Sequence, residues 1–111
     1  MIVIPSLNPE LLLSSIKSKI NSGVIKSWVC DKDGDFTISY DTWKNKAWLT
    51  PECAEGELKL YILPPKETHI STLIYAVYHA RFLEMIVHRF DEEISGSVRV
   101  TPLPDGNDVV S

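Results

Sequence analysis

Cysteine is scarce in this chain: two residues among 111, Cys30 and Cys53, too few to staple a fold. They also lack the Cys-x-x-Cys spacing that redox and zinc sites use. No apolar run approaches the ~20 residues that a membrane-spanning helix needs, so no membrane association is expected. Five glycines and seven prolines are ordinary frequencies and exclude collagen-like and low-complexity chains. Basic residues are few as well: eleven Lys and Arg against fifteen Asp and Glu give a net charge of −4. Nucleic-acid binders gather cations on one face to neutralise phosphates. The loose group Lys17, Lys19 and Lys26 is too thin for that, and no nucleic-acid partner is expected. The opening Met-Ile-Val-Ile-Pro has no basic region of a secretory signal, and Glu10 is its first charge. These absences together point to a cytoplasmic protein with reduced thiols.

What is present is an ordinary globular balance, 44% hydrophobic and 23% charged. A single α+β domain over residues 1–101 is expected, with a disordered tail over 102–111, where Pro102, Pro104, Gly106 and two aspartates cluster. Asn8-Pro9 starts a helix: Asn caps free N–H groups, and Pro in the first turn sacrifices no hydrogen bond. Leu12, Leu13, Ile16 and Ile20 follow at helical spacing, and Gly23 ends the run, so residues 9–22 form one amphipathic helix. From Val24 the period becomes two. Strands are expected at Val24–Asp31, Phe36–Tyr40, Lys46–Thr50 (ended by Pro51) and Leu58–Leu63, with a brief further strand at Ser97–Thr101. Asp31-Lys-Asp-Gly-Asp35 carries the Asp-Gly pair of a tight hairpin. A second helix runs from a cap at Thr68 to about Glu93. The expected architecture is αββββα: a two-layer sandwich of a four-stranded antiparallel meander with two helices on one face.

The second helix has an unusual wheel. Ile70, Leu73, Ile74, Val77 and Tyr78 share one arc, whereas Phe82, Leu83, Ile86, Val87, Phe90 and Ile94 occupy the opposite one. A kink near Ala80, burial of the helix between sheet and first helix, or contact with a second chain would each explain the crossing. No Pro or Gly is present to make a kink. The third explanation is favoured, and it predicts a homodimer with Phe82, Leu83, Ile86, Val87 and Phe90 in the interface.

Motifs with chemistry are wanting. The Asp31–Asp35 segment places its Gly at position four and Thr42 at position twelve, which does not match a calcium loop. His69, His79 and His88 stand ten and nine residues apart on one helix, whereas a metal pair wants i,i+4; no metal or cofactor is expected. Glu84 and His88 have i,i+4 spacing, the pattern of a solvated helix face. There is no Gly-x-Ser-x-Gly elbow and no phosphate-cradling glycine loop. The expected function is a small, non-catalytic protein-interaction module: an adaptor, an inhibitor or an immunity-type binder. Its residues 51–111 carry five basic against ten acidic side chains and suit a basic protein partner. The alternative is a small-molecule binder or modest enzyme with a pocket between sheet and second helix, lined by Trp28, Trp48, Tyr61, His79 and Arg81.

Overall fold

The structure, a computed structural model, describes residues 1–101; the expected tail at 102–111 lies outside them. Two α-helices and one antiparallel sheet give the α+β class. The sheet has six strands rather than four. Ile2–Pro5 (β1) and Arg99–Val100 (β6) join Trp28–Cys30 (β2), Phe36–Ile38 (β3), Trp48–Ala54 (β4) and Glu57–Leu63 (β5), in the order β2-β3-β4-β5-β1-β6. The opening apolar segment is therefore an inner strand, with Ile2 opposite Leu60 on one side and Val100 on the other.

The first helix, α1 (Pro9–Asn21), starts where Asn8 offers its side-chain oxygen to the Leu11 N–H, 3.1 Å away. Leu12, Ile16 and Ile20 form its buried stripe. The β2–β3 hairpin turns at the expected place: Asp31 Oδ1 accepts from the N–H groups of Asp33 and Asp35, both at 2.9 Å. Gly34 there takes φ +86°, a conformation a side chain would strain. Pro51 does not end β4. It lies within the strand, opposite Leu60, on a stretch that β3 does not reach because β3 and β4 pair only through Phe36 and Leu49. Proline is tolerated where no ladder partner asks for its missing N–H.

Register sorts the sheet residues by face. Trp28, Phe36, Ile38, Leu49, Leu58, Leu60, Ile62, Ile2 and Ile4 share one side and are buried in the core with α1 and the second helix, α2 (Thr72–Phe90). Trp48, Tyr61 and Val3 belong to the other side. Val3 is buried there between its cross-strand neighbours Lys59 and Arg99, whose charged ends both meet Glu57.

α2 begins four residues later than Thr68, because the Ser71 hydroxyl, not Thr68, accepts from the helix, at the Ile74 N–H. Ile70 and Ile94 thus fall outside it. Over its real length α2 has one buried stripe, Tyr75, Tyr78, His79, Phe82, Met85, Ile86 and Phe90, which does not cross the helix. The expected bare flank is corrected accordingly: Phe82, Ile86 and Phe90 are enclosed by their own chain. Phe82 packs edge-on against Trp28 with centroids 5.1 Å apart and against Phe36 at 5.6 Å. Phe90 lies under the Lys19 ammonium of α1, 4.8 Å from its centroid. Leu83 is half-buried, and Val87 is 48% exposed.

Candidate functional site

α2 carries a second row of small and apolar side chains on the side away from its core. Leu73, Ala76, Ala80, Leu83 and Val87 recur in alternating steps of three and four residues, the period of a coiled-coil seam. Leu73 is 63% exposed. A groove of about 560 Å³ runs along one flank of this row, between α2 and β6, lined by Ala76, His79, Ala80, Leu83, Val100 and Thr101. On the other side, Ala76, Val77, Ala80, Arg81 and Glu84 enclose a shallow depression. Past Arg81 and Glu84 lies a smaller cleft of about 250 Å³. The whole outer side of α2 is therefore relief rather than a smooth cylinder.

The wall of the groove is fixed by a chain of polar contacts around His79, which is 2% exposed. A carbonyl oxygen only accepts, so His79 Nδ1 donates to the Tyr75 carbonyl at 2.7 Å. That tautomer leaves Nε2 as an acceptor, and the Met1 amino group stands 3.0 Å from it. The same amino group reaches the Tyr75 hydroxyl, which in turn donates to the Thr101 carbonyl at 2.8 Å. The Tyr75 ring stacks on the imidazole with centroids 3.9 Å apart. These contacts bind β1 and the end of β6 to α2. His79 is committed to holding the groove's wall together.

The small cleft is built from β2, β3, the 39–47 loop and α2. Trp28 and Ile38, both 2% exposed, form its floor, and Tyr40 and Trp43 rise beside them. Edge-to-face contacts with Tyr78 and Phe82 fix the Trp28 indole. Buried hydroxyls pin the loop. Thr37 Oγ1 donates to the Ala47 carbonyl at 2.9 Å and accepts from the Asn45 N–H at 3.2 Å, while the Tyr78 hydroxyl donates to the Trp43 carbonyl. Arg81 and Glu84 stand at the rim, Nη1 and Oε1 3.8 Å apart, on side chains 59% and 72% exposed. A pair so long and so wet holds neither partner firmly.

The five residues expected to line one pocket are thus separated. Trp28 and Arg81 meet in the small cleft, His79 lies in the groove, and Trp48 and Tyr61 sit on the opposite face of the sheet. Tyr40 belongs to the expected alternation Phe36–Tyr40, a pattern that marks a sheet face and carries no signal for a cleft. The seam on α2 had a signal, its alternating steps of three and four, but alanines do not register as hydrophobic anchors.

Other chemistry is sparse. Among the described residues no group of three or more His, Cys, Asp and Glu side chains is placed to hold a metal ion, and no helix is long and apolar enough to cross a membrane. Cys30 and Cys53 are free thiols, and burial pushes both above the ordinary thiol pKa; the nearby Lys17 pulls the other way but does not prevail. A thiol held protonated is a poor nucleophile at neutral pH. Comparison with family models, with curated proteins and with solved structures finds no match for this chain.

Proposed function

We propose that this chain is a small, non-catalytic protein-interaction module that pairs with a second copy of itself through the outer side of α2. The reading keeps the expected helix and replaces most of the expected residues: Leu73, Ala76, Ala80, Leu83 and Val87 form the seam, and Phe82, Ile86 and Phe90 support it from within. In this reading both helices lie on one face of the sheet, so α2 has its core on one side and its partner on the other. Residence in the cytoplasm belongs to the same proposal and fits the two free thiols on separate strands.

The observation that carries it is the exposed apolar row, whose two ends and centre meet apolar side chains when a copy is reversed on it. Centred on Ala80, an antiparallel copy sets Leu73 against Val87, Leu83 against Val77 beside the row, and Ala76 against Glu84, with Ala80 against Ala80 at the two-fold axis. Small residues at the centre let two helices approach closely, and larger ones at both ends interlock. An isologous contact requires the same patch on both copies, and here Leu73, Ala80, Leu83 and Val87 of the row meet apolar side chains on reversal while Ala76 meets Glu84. Covering what remains exposed of Leu73 and Val87 contributes about 1 kcal/mol each, a fraction of what a fully exposed side chain gains.

Sedimentation velocity decides the matter. The wild type sediments as a dimer at micromolar concentration, and Leu83→Glu sediments as a folded monomer with an unchanged circular dichroism spectrum. A wild type that remains monomeric into the high micromolar range overturns the pairing.

A further inference from the structure

The small cleft at the far flank of α2 is a binding site in its own right, and we infer that it takes a free aromatic α-amino acid. Three features define the ligand. Trp28 and Ile38 at the bottom and Trp43 and Tyr40 beside them give an aromatic and aliphatic side, with Ser27 and Thr42 adding polar side chains to the lining, so the buried part of the ligand is a ring. The rim carries one cation and one anion, Arg81 and Glu84, only 3.8 Å apart. A molecule whose carboxylate and ammonium sit on the same carbon matches that spacing of opposite charges. The cleft's volume of about 250 Å³ suits a ligand of amino-acid size. Drug-sized pockets run larger, from roughly 300 to 1,000 Å³.

The cleft is also organised before anything enters it. Thr37 and Tyr78 use buried hydroxyls to hold the loop that presents Trp43, and Trp28 is clamped between Tyr78 and Phe82. A site that needs no rearrangement spends little of its binding energy on ordering itself. The rim charges are the exception, and their loose contact leaves both to turn toward a ligand: the Arg81 guanidinium donates to the carboxylate, and the Glu84 carboxylate accepts from the ammonium.

The inference does not require the pairing of α2, because every lining residue comes from one chain, although Arg81 and Glu84 also border the seam. Its test is titration calorimetry of the full chain with L-phenylalanine and L-tryptophan, then with phenylpropionate, phenethylamine and L-leucine. The two aromatic amino acids bind, and each compound lacking the ring or one charge binds about tenfold more weakly or worse. Arg81→Met lowers the affinity for phenylalanine and phenylpropionate about tenfold and leaves phenethylamine unchanged. Glu84→Gln does the reverse, weakening phenylalanine and phenethylamine and sparing phenylpropionate. Affinity survives in Leu83→Glu, so loss of pairing and loss of this site are read separately. No heat with phenylalanine at about 10 mM overturns the proposal, as does an equal loss for every probe in both variants. Binding of N-acetyl-phenylalanine amide as tight as that of free phenylalanine also overturns it, since the cleft is then an anchor for a peptide side chain.

Discussion

The two long sides of α2 are both apolar, yet they face different surroundings. One side places Tyr75, Tyr78, Phe82, Met85, Ile86 and Phe90 in the core, and the other shows Leu73, Ala76, Ala80 and Val87 to solvent. The buried side is built from aromatic and long side chains that fill irregular space against a sheet. The outer side is built from alanines between branched residues, the pattern for packing against another regular rod. Apolar character alone does not separate inside from outside on a helix; the size and spacing of the side chains do.

Three substitutions sharpen that contrast. Phe82→Ala empties the space between Trp28 and Phe36 and is expected to cost about 3–5 kcal/mol of folding stability, read as a lower urea midpoint with unchanged slope. Tyr78→Phe keeps the ring and removes the hydroxyl that donates to the Trp43 carbonyl and lies 2.9 Å from Thr37 Oγ1. A loss of about 1–3 kcal/mol is expected, with faster amide exchange confined to residues 40–47. Leu73→Gln, on the outer side, should change protomer stability by no more than about 0.5 kcal/mol at concentrations where the chain is monomeric. A large effect there, or a negligible one at Phe82, breaks the distinction between the two sides.

Much of the local structure was legible from the residues. The Asn8-Pro9 helix start, the Asp31–Asp35 turn and the alternation over Phe36–Ile38 and Leu58–Leu63 are written in short segments whose chemistry decides them nearby. What escaped depends on distant partners. Four residues, Ile2–Pro5, carry no turn or cap, and they become a strand only because Leu58, Leu60 and Val100 complete it. The apparent crossing of the apolar stripe on α2 arises because Leu73, Ile74 and Val77 read as core although Leu73 is 63% exposed, while the buried Tyr75 and His79 already lie on the arc of Phe82 and Ile86. Capping by Ser71 moves the start of the helix, while Met1 and Tyr75 make a buried place for the imidazole. Of the cleft, Trp28 and Arg81 were anticipated, but the loop that brings Tyr40 and Trp43 to them is held by tertiary hydrogen bonds that no local pattern announces.

The position of β1 between β5 and β6 sets a schedule for the nascent chain. β1 has to wait for the segment around Leu60, several seconds away at about 5–20 residues per second, before either of its sheet neighbours has been made. Its second neighbour, at Arg99–Val100, arrives later still. Throughout that interval Ile2, Val3 and Ile4 are an apolar segment without strand partners, open to pairing with the wrong edge.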